Sequence, residues 1–343
     1  MTDTDVFTVG EITPSRTEKK RIRRLYNKVG GAMVIQYVLM FVIYFVLAAA
    51  LSPFMLDETN PETGLAIIGW ADAAAMYFAP ALASVIMFFT FNAVNNVKSA
   101  PMFSTRNISP KLIGCCILGA FAFHAFGIGL EYLTDIVLYD CGLEVISFDY
   151  EMKNDAATLA AEIVSSIILA PIAEELFYRG IVLKQTARVS TRFGIIFSGV
   201  MFGLMHGNPY QFVMATALGI YFGYITVKTD SLVPSIICHA AVNGMMCLSD
   251  IAGYFGEELS EYAFYAVWAA EILFGIWGIL LYSKSENKPK LPTYSEYHKK
   301  RTLPIMITSV WVIIITILYV YDIIKSVAPI TADIAEELVT SAV

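Results

Sequence analysis

Apolar stretches long enough to cross a hydrocarbon core of about 30 Å recur from Gly31 almost to the C-terminus, and this recurrence limits the chain to very few architectures. Backbone groups in lipid must be satisfied within the segment itself, so stretches of this length and composition predict helices. Apolar runs between polar breaks place them near 31-55, 72-93, 111-130, 157-184, 192-207, 210-228, 231-250, 262-283 and 304-325. With 57% apolar and 15% charged residues in 343, no room is left for a soluble domain of ordinary size. The expectation is an all-α, polytopic integral membrane protein of about nine transmembrane helices.

The placement of charge then orients the chain. Numbering the loops alternately sorts Lys and Arg onto one side: the N-terminal arm, 94-111, 184-192, Lys228 and 284-303. Lys153 and Lys325 lie opposite, among acidic loops that carry Asp57, Glu58, Glu62, Asp140, Glu144, Asp149, Glu151, Asp250, Glu257, Glu258 and Glu261. By the positive-inside rule the N-terminus is cytoplasmic and the C-terminus external. The chain divides into a basic cytoplasmic arm (1-30), an integral membrane domain (31-283) with its working region at 157-250, a cytoplasmic linker (284-303), and a C-terminal helix with an external tail (304-343). The last two helices read as an addition to the working region. The arm carries no signal-peptide cleavage pattern. Four of the five cysteines fall in apolar segments without CxxC spacing, which indicates neither a disulfide framework nor a zinc ribbon. The basic segments lie beside membrane headgroups, so the expected partners are the lipid bilayer and a membrane-associated protein or peptide, with no nucleic acid. Oligomeric state is not encoded in any motif.

An ionisable side chain inside a bilayer costs several kcal/mol or more unless it is paired or faces a cavity, so each one within a span is a functional candidate. The fourth span reads Pro171-Ile172-Ala173-Glu174-Glu175-Leu176-Phe177-Tyr178-Arg179. Glu175 and Arg179 stand four apart in the order that favours an ion pair, and Glu174 points about 100° away from Glu175. Glu175 and Arg179 are therefore assigned structural roles and Glu174 the reactive one. Pro171 has no N–H and frees a carbonyl about one turn earlier, predicting a kink before the acidic pair. A desolvated carboxylate is a stronger base than a solvated one and is fit to draw a proton from water.

His206 is its natural partner, in the last turn of the fifth span before the breaker Gly207-Asn208-Pro209, with Phe202 packing against it. In the seventh span His239 and Asn243 share a face, two side chains that can both donate to one oxygen, as an oxyanion hole requires. Counted from the cytoplasmic ends, Glu174, His206, His239 and Asn243 lie about 15, 21, 12 and 18 Å deep. That predicts one water-filled cavity near the midplane, lined by all four. His124 reads as a packing or lumen-facing histidine, and Glu162 and Glu271 are left outside the site.

These motifs, Glu174-Glu175 to Arg179 (EExxxR), Phe202 to His206 (FxxxH) and His239 to Asn243 (HxxxN), occur in the order seen in the CAAX proteases and bacteriocin-processing enzymes, which this chain resembles over roughly 157-250. The eukaryotic members of that family include the Ras-converting prenyl-protein endopeptidase. The resemblance implies an intramembrane endopeptidase in which Glu174 and His206 activate water, His239 with Asn243 holds the oxyanion, and Glu175 and Arg179 support the site. It also implies glutamate-dependent chemistry with no cofactor and no catalytic metal, at a site reached from the membrane or the cytoplasm. Bacterial members are linked to peptide maturation, bacteriocin self-immunity or regulatory proteolysis, so the substrate is left open.

Three other readings stand beside this one. His206, His239 and a glutamate could ligate zinc, although HExxH is absent. Buried carboxylates and histidines also serve proton-coupled transporters, but no matching halves or paired broken helices are visible. A peptide-binding immunity protein could use the same fold without catalysis.

Overall fold

A computed structural model describes residues 15–61, 63–106, 108–146, 150–284 and 299–330. The first fourteen residues, most of the expected linker and the tail beyond 330 lie outside the described residues, as do Glu62 and Asp149. The principal helices are α1 (Arg16–Leu51), α2 (Trp70–Val94), α3 (Pro110–Asp140), α4 (Ala156–Thr186), α5 (Thr191–Leu204), α6 (Pro209–Thr229), α7 (Val233–Gly253), α8 (Glu257–Ser283), α9 (Lys299–Met306) and α10 (Val310–Lys325). Seven are long and apolar enough to cross a membrane, so this is an all-α, multi-pass membrane protein.

Two of the nine expected spans differ. The fifth is the 14-residue α5, which ends at Leu204 and leaves His206 in the turn beyond it. The ninth is broken into α9 and α10, the latter 16 residues long. Thr308 Oγ1 and Ser309 Oγ both donate back to the Ile305 carbonyl, and α10 restarts with Ser309 as its N-cap residue. Such side-chain bonds compete with the helical ladder and help end it. The first helix also starts earlier than its apolar run. Ser15 and Glu18 form a reciprocal capping box, so the basic cluster occupies the opening turns of α1 rather than a separate arm.

Among the described residues five short strands cap one face. Strand β1 (Glu58–Thr59) pairs antiparallel with β2 (Ala66–Ile68), which pairs parallel with β4 (Tyr150–Met152). Strand β3 (Leu143–Val145) pairs antiparallel with β5 (Val327–Pro329). These pairings hold the loops after α1 and α3 and the segment after α10 on the same face, the acidic face of the charge pattern.

The main core joins α1, α2, α4, α5 and α10 through Tyr26, Phe88, Phe177, Tyr178, Phe202 and Tyr319. The last helix is therefore built into the core rather than added to it. Asn27 Oδ1 accepts the Trp311 backbone N–H at the start of α10. At Gly30 a Cβ would meet the Trp311 and Val312 backbone at 2.6 Å, so only glycine permits this approach of α1 to α10. Tyr178, next to Arg179, meets the Tyr319 hydroxyl at 3.1 Å. A second cluster packs α3, α6 and α7 around Phe121, Phe222 and Val242.

Candidate active site

Helix α4 carries the acidic pair, and its ladder is irregular. Residues 165–169 and 175–183 wind as π-helix, with α-helical Ala170–Glu174 between them. Such segments arise where an additional residue is fitted into a turn. They set which faces the two adjacent glutamates present. Glu175 is fully buried, whereas the Glu174 side chain keeps 21% exposure.

Glu175 is the hub of the buried charges. Its Oε2 lies 3.1 Å from Arg179 Nε, as the four-residue spacing predicts. Its Oε1 lies 3.3 Å from His239 Nδ1, a contact the sequence does not announce. Arg179 in turn donates from Nη2 to the Gly219 carbonyl at 3.2 Å, and its guanidinium lies 4.4 Å from the Phe202 ring centre and 5.6 Å from that of Phe222. A cation held over aromatic rings in this way is attracted by their π faces. The pair faces without an aligned hydrogen bond between Oε2 and Nε, and Arg179 Nη1 has no hydrogen-bond partner among the described residues.

His239 stands between the two carboxylates. Its Nε2 is 3.7 Å from Glu174 Oε2, close enough for charge interaction but long for a hydrogen bond. Phe222 stacks on the ring at 5.2 Å and Phe202 meets it edge-on at 5.8 Å, fixing its plane. His206 also meets Phe202 edge-on, at 5.0 Å. Its Nδ1 lies 2.8 Å from the Phe202 carbonyl, which can only accept, so Nδ1 carries the proton and Nε2 is left with a lone pair in the neutral ring. Gly207, at φ +70°, then reverses the chain into α6, whose N-cap Asn208 accepts the Gln211 N–H.

Asn243 donates from Nδ2 to the Ser166 carbonyl at 2.8 Å. Glu174, Glu175, Arg179, Phe202, His206 and His239 thus form one contiguous group, with Asn243 one turn along α7 from His239. Among the described residues no hydrogen bond or ion pair joins His206 to Glu174, or Asn243 to His239. Ser166, Gly219 and Phe222 escape sequence reasoning because two of them act through backbone carbonyls and the third through ring stacking, none of which leaves a spacing signal.

A cavity of about 780 Å³ opens among the ends of α1, α4, α6 and α7 that carry the basic residues. Its wall includes Arg21, Met102, Arg179, Leu183, Thr226 and Leu232, but none of Glu174, His206, His239 or Asn243. The four expected residues therefore do not share this space, which instead ends at the groups that support them. Thr226 donates to Ser235 at 3.1 Å. Among the described residues no three His, Cys, Asp or Glu side chains gather as a metal site. His124 and Glu271 form a separate buried pair at 2.7 Å between α3 and α8, distant in role from this group.

A multi-pass helical protein with these motifs on α4, at the end of α5 and on α7 falls in the class of membrane proteases. Residues 156–245 match the family described as type II CAAX prenyl endopeptidase Rce1-like. Two Bacillus subtilis (strain 168) proteins are similar: "Putative membrane peptidase YdiL", 26% identical over 195 residues, covering 54% of this chain and 80% of that protein, and "Uncharacterized protein YyaK", 32% identical over 138 residues, covering 36% and 46%. No solved structure gives a significant match. The family match and the similarity to a putative membrane peptidase support the CAAX protease and bacteriocin-processing family, and the matched region is the one holding the buried charges.

Proposed function

We propose that the protein hydrolyses peptide bonds of membrane-associated proteins or peptides, with Glu174 as general base. The observation that carries this reading is the division of labour between adjacent carboxylates: Glu175 is buried and occupied by Arg179 and His239, while Glu174 keeps partial exposure beside His239 Nε2. Glu174, with His206 Nε2 as a second acceptor, takes a proton from water as its oxygen attacks the carbonyl carbon. The carbonyl π electrons move to oxygen, and the resulting oxyanion needs donors already in place. With Nδ1–H directed at Glu175, His239 Nε2 serves this step as a donor in the imidazolium form. Asn243 supplies its remaining N–H. Protonated Glu174 then returns its proton to the departing amine as the C–N bond breaks.

The test compares membrane proteomes of a strain lacking this gene and a strain carrying Glu174→Gln. Shared accumulation of the same precursors supports the reading and identifies the substrate. Accumulation in the deletion strain alone removes Glu174 from the chemistry and favours the non-catalytic, peptide-binding alternative.

A further inference from the structure

The Ser166 carbonyl occupies an unusual position in the ladder of α4. In an α-helix its donor would be the Ala170 N–H, but that group bonds to Ser165 instead, in the π pattern. In a π-helix its donor would be residue 171, and Pro171 has no N–H. The two backbone groups that could satisfy Ser166 are thus diverted and missing, respectively. A carbonyl left unpaired away from water is costly, so it takes an outside donor, and the Asn243 amide lies on it at 2.8 Å.

We infer that Pro171 is a positioning residue for Asn243: by withholding a backbone donor, it keeps the Ser166 carbonyl open as the anchor that orients the Asn243 amide. The amide cannot reverse, because its Oδ1 would then face the carbonyl oxygen. One N–H is committed to Ser166, and the other is held in a single direction. The inference rests on the proposed role of Asn243 in peptide hydrolysis, but its structural part stands apart from any activity.

Replacing Pro171 with alanine restores an N–H that competes for the Ser166 carbonyl and releases the amide. The expected result for Pro171→Ala is a fall in kcat of about 10–100-fold, less than the roughly 10²–10³-fold lost when an oxyanion donor is removed outright. KM and melting temperature are expected to hold. In an Asn243→Ala background the same substitution should change kcat by less than about twofold; an equal loss in both backgrounds overturns the inference. Two readouts need no turnover. In full-length protein in detergent, the ¹⁵N side-chain amide resonance of Asn243 should shift in Pro171→Ala, and an unchanged resonance overturns it. Asn243→Leu should lower the melting temperature by stranding Ser166, and Pro171→Ala should restore it; absence of rescue also overturns it. If Glu174→Gln still cleaves, the functional reading fails while these two results still decide the anchor.

Discussion

Glu175 Oε1 approaches His239 Nδ1 to 3.3 Å, so the residue that neutralises Arg179 also holds the imidazole of a neighbouring helix. Glu175→Ala or Arg179→Ala leaves an uncompensated buried charge, at a cost of roughly 3–5 kcal/mol. Glu175→Gln keeps the volume but loses the charge, and should lower both thermal stability in detergent and kcat. Unchanged melting temperatures in all three variants would remove the hub from the account.

Glu174→Gln is expected to abolish cleavage of the precursor found by proteomics while leaving the melting temperature within a few degrees of the parent. Its partial exposure, and the absence among the described residues of an ion-pair partner other than His239, are why stability should hold. Retained turnover with purified protein in vesicles is the outcome that sinks the mechanism.

His206→Ala is expected to lose about 10²–10⁴-fold in kcat, the usual range for a positioned acid or base. The same preparation separates water activation by side chains from zinc chemistry. Activity that disappears with 1,10-phenanthroline and returns on zinc addition would favour a His206–His239–glutamate metal site; indifference to the chelator favours the carboxylate.

The pair His124–Glu271 predicts a sign pattern. Either single substitution to leucine should destabilise by leaving its buried polar partner unpaired, whereas the double leucine variant should recover most of the loss, because both partners of the contact are then gone. Cleavage should persist throughout, since the pair contributes no group to the proposed chemistry. Additive losses would contradict the pairing.

Tyr319→Ala should cost about 3–5 kcal/mol, as for a large aromatic removed from a packed core, and Tyr319→Phe about 1 kcal/mol. Thermal unfolding checks both. A neutral Tyr319→Ala would return α10 to the status of an appendage.

Much of this was legible beforehand, for physical reasons. Hydropathy over twenty residues reports directly on bilayer burial, so the long spans emerge, and the Glu175–Arg179 pair follows from helix periodicity alone. Gly207-Asn208-Pro209 marked its turn correctly. The start of α1 was also readable, since Ser15-Arg16-Thr17-Glu18 spells a capping box, but the hydropathy boundary at Gly31 concealed it. Contacts between helices were not readable. Glu175 reaching His239, Arg179 lying between Phe202 and Phe222, and Tyr319 meeting Tyr178 all depend on packing register. Pro171 announced a freed carbonyl, but which one it frees depends on the π winding that precedes it.

That winding also makes chain length matter as much as residue identity. Straightening 165–169 to α geometry while deleting the additional residue would leave the downstream faces nearly in place, whereas straightening it at its present length would rotate everything downstream by roughly 100°, handing Glu174 the direction of Glu175. The basic partner at 179 would turn with it, away from the aromatic slot. A change of winding at this place would thus scramble the chemistry without altering a single letter of the motif.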